Sequence, residues 1–290
     1  MVTAGWTQMS ARVVRQHDQG AGHRWLDLEV PRAFAPPAPG EFVQLLLGAA
    51  SSAALLPRPM SVASCRRTRH GWTLGFLYMP VGAGTLALAA LGPDAPLELL
   101  GPLGRGFPLD HPGTPVLVAG GRGVAPLLFA ADALTRARRR CEFLFGARSR
   151  AQLVGLADAR ARLARLGGRM HLCTDDGSVG LEGHVVALLE RVTRRLEPPL
   201  VIHACGPHPM LKAVAAWGLE RGVPSYLAME SIMACGTGVC RGCPLPRSPR
   251  ARAAFDRART PSLYGNDEWA MCCTEGPVFE AGALDWERIE

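Results

Sequence analysis

Between Ser231 and Pro246 the chain reads SIMACGTGVCRGCPLP, placing Cys235, Cys240 and Cys243 within nine residues and Gly236, Gly238 and Gly242 among them. A stretch so rich in thiols and so poor in bulky side chains has nothing to pack as a core helix or strand, so its cysteines must be what organises it. The chain holds nine cysteines. An odd number argues against a disulfide framework, as does a reducing compartment, and clustered thiols then point to a metal. C-x4-C-x2-C followed by a distant cysteine is the spacing that binds a 2Fe-2S cluster. Several sulfurs must reach two irons from one side, and residues without side chains let the loop wrap closely and aim N–H groups at the cluster. The alternative is a structural zinc, which would more often show two separate C-x2-C knuckles, and this chain has one such pair. The fourth ligand is expected from MCCTEGPVF, where Cys272 and Cys273 are adjacent. Neighbours in an extended segment point to opposite sides, so one of the two would ligate, and residue type does not choose between them. Cys65, Cys141, Cys173 and Cys205 sit apart in apolar strand-like settings and read as small buried hydrophobes.

Ahead of this tail the sequence changes style once. Up to residue 112, short strands broken by Gly and Pro (HRWLDLEV, GEFVQLLL, WTLGFLYMP, APLELLGPLG) predict an antiparallel barrel or sandwich. From Thr114, apolar strands such as TPVLVAGG, CEFLFGARS and LVIHACGP alternate with helical patterns such as APLLFAADALTRARRR and HPMLKAVAAWGLERG, which predicts a doubly wound parallel sheet. The 290 residues suit two domains of roughly 100 to 200 residues each with a small addition. The expected division is a barrel over 1–112, an α/β domain over 113–228 and a cysteine module over 229–290.

Three glycine-rich turns carry further chemistry. LVAGGRGVAPLL is a strand, a turn through Gly120, Gly121 and Gly123, and a helix whose N-terminal N–H groups suit a pyrophosphate. ACGPHPML, with Cys205, Gly206 and Pro207, ends another strand at the same edge of the sheet, where open parallel sheets bind ligands. In the barrel half, RPMSVAS places Arg58 near Ser61, and MPVGAGT supplies Gly82, Gly84 and Thr85. An arginine and a hydroxyl beside a tight glycine loop can hold an anionic phosphate.

The net charge of +7 does not indicate nucleic acid, because only Lys212 among 32 basic residues is lysine. That bias reads as coding composition. The run Arg136–Arg140 ends a helical pattern, where cations are favourable, and aromatic interleaving is absent. With no apolar stretch of about 20 residues and no signal pattern at the start, a cytoplasmic protein without a membrane span is expected.

The order RPMSVAS, VGAGT, GPLGRGF, AGGRGVAP, ACGPHPML, MACGTGVCRGC, CTEGPVF resembles the electron-transfer subunits of B-type dihydroorotate dehydrogenases, within the ferredoxin-reductase superfamily. The resemblance runs over nearly the whole chain. It implies a barrel holding FAD, a domain accepting NAD(H), and a C-terminal 2Fe-2S module. On this chain Arg58, Pro59, Met60 and Ser61 would contact the flavin or its phosphates, and Leu77, Tyr78 and Met79 would do so by backbone. Gly84 and Thr85 would hold the pyrophosphate. NAD(H) would lie between Gly120, Gly121, Gly123 and Cys205, Gly206, Pro207. Cys235, Cys240, Cys243 and Cys273 would ligate the cluster, Cys273 being chosen because the family places its ligand three residues before GPVF. Hydride moves two electrons and the cluster takes one, so flavin would split the pair. The implied partner is a catalytic subunit with FMN that oxidises dihydroorotate to orotate in pyrimidine biosynthesis, assembled as a heterotetramer. No residue of this chain stands out as a catalytic acid or base.

Two departures qualify what is carried over. Positions 244 to 272 separate the third cysteine from Cys273 by a longer, arginine-rich stretch than the family suggests. GARSR, with Arg148, Ser149 and Arg150 at a strand end, could hold the 2′-phosphate of NADPH and leaves NADH preference open. The rival readings are a flavin and iron-sulfur subunit of a ferredoxin- or sulfide-linked NAD(P)H oxidoreductase, or, from another class, a colourless redox or zinc-stabilised interaction module.

Overall fold

A computed structural model describes residues 6–47, 56–164, 168–256 and 265–289. The first half is one seven-stranded antiparallel sheet of β1 (Thr7–Gly20), β2 (His23–Pro31), β3 (Phe42–Leu46), β4 (Arg58–Ser61), β5 (Ser64–Arg67), β6 (Gly71–Tyr78) and β7 (Pro96–Leu103). Their order is β4-β3-β7-β1-β2-β6-β5. The strands at the two ends of this order, β4 and β5, are joined by only Val62 and Ala63, so the sheet must curl until its edges meet. Ala63 N donates to Gly75 O of β6 at 2.8 Å, so this short connection leads directly into the β5–β6 ladder. Barrel closure removes the free edges. Alternate residues of β7, Leu97 and Leu99, turn inward with Val13, Leu26, Leu28, Val43, Leu45 and Phe76 to fill the interior, as the two-residue period of a strand requires. Helix α1 (Ala83–Ala90) leaves the end of β6.

The second half alternates strand and helix: β8 (Thr114–Gly120), α2 (Val124–Arg136), β9 (Glu142–Ala147), α3 (Leu156–Ala164), β10 (Arg169–Thr174), β11 (Leu181–Glu182), α4 (Val185–Thr193), β12 (Leu200–Cys205), α5 (His208–Arg221) and β13 (Ser225–Ala228). Strands β11-β10-β9-β8-β12-β13 are parallel neighbours. The order reverses between β8 and β12, so the crevice beyond their C-terminal ends is the switch point where such sheets bind ligands.

The tail contains β14 (Pro244–Pro246), α6 (Pro249–Ala253), β15 (Trp269–Met271), the short turn of helix α7 (Cys272–Glu275) and β16 (Val278–Glu280). β14 and β15 form a two-stranded ribbon, whereas β16 joins the large sheet antiparallel to β13. The GPLGRGF turn meets this segment directly. Arg105 N donates to Gly276 O at 2.6 Å, and a Cβ on Gly104 would lie 2.5 Å from Pro277 Cδ. The segment just after Cys273 is therefore anchored to both the barrel and the parallel sheet. None of the described helices is long and apolar enough to cross a membrane.

Candidate functional site

The barrel motifs assemble at β4 and the start of α1. Arg58, Pro59, Met60 and Ser61 form β4 itself, with Met60 in the core and Pro59 and Ser61 exposed. Arg58 is half-buried beneath the glycine loop. Its Nε has no hydrogen-bond partner among the described residues, and a Cβ on Gly84 would stand 2.2 Å from it. A buried, unpaired guanidinium nitrogen beside a cradle that only glycine leaves open fits a phosphate-bearing cofactor. Thr85 Oγ1 accepts from Val81 N at 2.9 Å and Gly82 N at 3.2 Å and donates to Gly82 O, so this hydroxyl shapes the loop. Leu77 and Tyr78 are buried at the end of β6 and Met79 follows them, half-buried. Tyr78 hydroxyl donates to Gln16 Oε1 at 2.5 Å, and burial pushes its pKa to about 12. That side chain is committed to the barrel and leaves the backbone of 77–79 for contacts. Gln16 also donates to Leu88 O and Leu91 O at the end of α1. A glutamine in a polar stretch gave no sign of this in the sequence.

The two glycine turns of the second domain meet backbone to backbone. A Cβ on Gly123 would lie 2.0 Å from Cys205 O and 2.6 Å from Gly206 N, and one on Gly206 would lie 3.1 Å from Gly120 Cα. Gly121 adopts φ +52°, a conformation glycine takes without strain. Gly123 caps α2 with no side chain, so the first-turn N–H groups keep their capacity for an anion. Cys205 is 5% exposed and burial pushes its thiol up, so it sits beside Pro207 as a neutral group. Arg148 and Arg150 lie against the turn after β10: Arg150 N donates to Ser178 Oγ at 2.8 Å, and Asp176 N donates to Arg148 O at 3.2 Å. Ser178 hydrogen bonds hold the Asp176 carboxyl below its ordinary value. Both signs of charge therefore flank this strand end.

Among the described residues no three His, Cys, Asp or Glu side chains converge on one point as a single ion would need. The thiols stand in pairs instead. Cys243 Sγ and Cys273 Sγ are 3.2 Å apart. Cys235 Sγ accepts from Thr237 N at 3.4 Å and Cys240 N at 3.5 Å. Burial raises the Cys235 thiol, but these donors and the Cys240 side chain outweigh it and lower it to about 6. The Cys273 thiol, donating to Cys243, lowers Cys243 to about 7 and is itself raised. Gly242 N points at Cys240 Sγ and Cys273 N at Cys243 Sγ, each at 3.4 Å. Two thiol pairs ringed by N–H donors fit two irons better than one tetrahedral ion. Cys272 is turned away, its sulfur 3.9 Å from Met229 O and raised by burial. The pair was expected in an extended segment. It lies instead in α7, where about 100° per residue separates the two side chains. The stretch after Cys243 is described only to residue 256 and again from 265.

The model for the oxidoreductase NAD-binding domain matches residues 117–216. The chain is 31% identical over 264 residues to the electron transfer subunit of dihydroorotate dehydrogenase B (NAD(+)) from Desulforamulus reducens, covering 91% of this chain and 92% of the relative. It is 35% identical over 249 residues to the subunit of that name from Bacillus caldolyticus, covering 85% and 86%. The chain belongs to this family. Family membership accounts for the motif order from RPMSVAS to CTEGPVF. Among solved structures, an NADH-dependent reduced ferredoxin-NADP oxidoreductase superposes with TM-score 0.76 at 24% identity, over 95% of this chain and 90% of that one. The ferredoxin reductase of carbazole 1,9a-dioxygenase gives 0.62 at 21%, over 76% and 67%. These two show the shared fold.

Proposed function

We propose that this chain is the electron-transfer subunit of a dihydroorotate dehydrogenase of the B type, passing electrons between NAD(H) and a partner catalytic subunit in pyrimidine biosynthesis. The partner would carry FMN and oxidise dihydroorotate, within a heterotetramer. The observation that carries the reading is the paired arrangement of Cys235 with Cys240 and Cys243 with Cys273, on a chain whose curated relatives are named for this role.

When bound, FAD supplies hydride chemistry and the 2Fe-2S cluster supplies one-electron transfer; the chain supplies placement. Arg58 and the Gly84–Thr85 loop would hold the flavin's phosphates, the guanidinium offsetting their charge. β4 and the backbone of Leu77, Tyr78 and Met79 border the ring site. The Gly120–Gly123 turn, open at the N-terminus of α2, receives the dinucleotide phosphates. Cys205, Gly206 and Pro207 would border the nicotinamide site, with Cys205 presenting a buried neutral thiol. Cys273, and not Cys272, completes the cluster ligands in a C-terminal module joined to both domains.

The test is the absorbance spectrum of the anaerobically purified chain, coexpressed with a candidate FMN dehydrogenase partner, before and after NADH. Flavin bands with an iron-sulfur shoulder that bleach with NADH, together with partner-dependent orotate formation, are expected. Bleaching without orotate chemistry would leave an NADH-linked reductase of the ferredoxin- or sulfide-linked kind. A colourless protein containing zinc would end the flavin reading.

A further inference from the structure

Gln44 occupies the middle of β3, where every neighbour in the strand faces core or sheet, and it is fully buried. Burying a primary amide is costly unless it is bonded. Its Nε2 donates to Met233 O at 2.9 Å, and the assignment is secure because a carbonyl can only accept. Met233 precedes Cys235 by two residues, and Gly236 follows it. A Cβ on Gly236 would lie 2.8 Å from Gln44 Cγ, 3.0 Å from Nε2 and 2.9 Å from Leu103 Cδ1. Cys235 is thus bracketed, its near side bonded to the head of Gln44 and its far side pressed on the stem. In the barrel, Gln44 stands opposite Pro59 in β4, the strand that carries Arg58 and Ser61. Its Oε1 has no partner among the described residues. An apolar side chain would leave no such orphan, so the amide is kept against a cost, and the group it serves is the Met233 carbonyl.

We propose that Gln44 is the positioning residue that fixes the cysteine loop to the flavin strand, setting the placement of Cys235 relative to the barrel. The inference rests on the electron-transfer reading above. It touches no substrate. It acts through Cys235, and because electron transfer falls steeply with separation, a loosened loop is felt both at the cluster and in the rate between the two centres.

Gln44→Met keeps the length of the side chain and removes both polar atoms, while Gln44→Leu removes them on a shorter chain. In the coexpressed complex, iron and flavin content, the electron paramagnetic resonance spectrum and midpoint potential of the reduced cluster, and rapid-mixing rates after NADH would be measured. The expected result is normal flavin content and normal flavin bleaching by NADH, with an altered cluster spectrum and flavin-to-cluster transfer slowed by roughly tenfold or more, the scale of losing a supporting contact to a metal ligand. An unchanged spectrum, potential and transfer rate would overturn the role of Gln44. If the Met variant loses iron and flavin together, the Leu variant decides by the same spectral criterion. A wild-type complex with flavin but no cluster signal would instead overturn the electron-transfer reading, and the proposal with it.

Discussion

Single atoms decide several features of this chain. Gly84 is needed because Arg58 Nε lies where its Cβ would be, whereas Gly82, with φ −150° and nothing within 4 Å of its Cβ position, has extended backbone any residue can adopt. Gly84→Ala should therefore weaken flavin retention about tenfold, or about 1.4 kcal/mol, and Gly82→Ala should leave it unchanged, as read from the flavin-to-protein absorbance ratio after gel filtration. The two adjacent cysteines make a second contrast. Cys273→Ala should abolish the cluster's resonance signal, while Cys272→Ala should keep it and lower stability by about 1 kcal/mol for the small cavity left behind. His203 gives a third. It is fully buried, stacked on Tyr226 and edge-on to Phe107, with neither ring nitrogen bonded among the described residues. Burial, then Arg139 and His111, lower its pKa from 6.5 to about 3. A histidine depressed in the folded state favours folding fully above its unfolded value and loses that contribution as pH falls from 6.5 toward 3. Between pH 7 and pH 5 it should cost about 2 kcal/mol, and His203→Phe should flatten that part of the denaturant-midpoint profile.

At the scale of elements, β2, β3, β6 and β7 were legible because their apolar residues recur at strand spacing between Gly and Pro, and β8, β9, β12, α2 and α5 because long apolar runs alternate with helical patterns. The longest strand, β1, was not. Its sequence TQMSARVVRQHDQG is mostly polar, since only Ala11 and Val13 are fully turned into the barrel while the rest of one face meets solvent. β4 is four residues with a proline, and α3 is short with only Ala159 and Leu163 fully buried, so neither carries a readable period. The site divides the same way. Cysteine spacing and glycine turns are local and were visible, but the contact of Gly123 with Cys205 and of Gln44 with Met233 exists only once distant strands are paired. Another such contact joins the residue after β14 to α7: Arg247 and Glu275, both largely buried, form an ion pair, and Glu275 Oε1 accepts from Met271 N at 2.9 Å. Removing one partner leaves an uncompensated buried charge, so Arg247→Ala should destabilise the chain by about 3–5 kcal/mol, and Arg247→Met with Glu275→Gln should recover most of it. Chemical denaturation of the three proteins side by side would measure this.

At the scale of the whole molecule, the three motif regions lie along one connected body, with the parallel sheet and the barrel both in contact with the segment that follows Cys273. Strand β3, the neighbour of β4, is tied to the cysteine loop through Gln44, and the loop continues to Cys240, which is exposed. The same segment presents Ile232, 84% exposed, and Val239, which directly precedes Cys240 and is 65% exposed. Isolated exposed hydrophobes need no explanation, but two of them in the segment that carries the exposed Cys240 mark a face a partner would approach if Cys240 is a cluster ligand. Charge there should act on assembly and leave the internal chemistry alone. Ile232→Glu with Val239→Asp should retain the flavin and iron-sulfur bands and their bleaching by NADH, yet fail to coelute with the catalytic partner subunit and lose orotate formation, as gel filtration and a coupled assay would show. Normal coelution and orotate formation by that variant would place the partner on another face and require electrons to leave the cluster by a route other than Cys240.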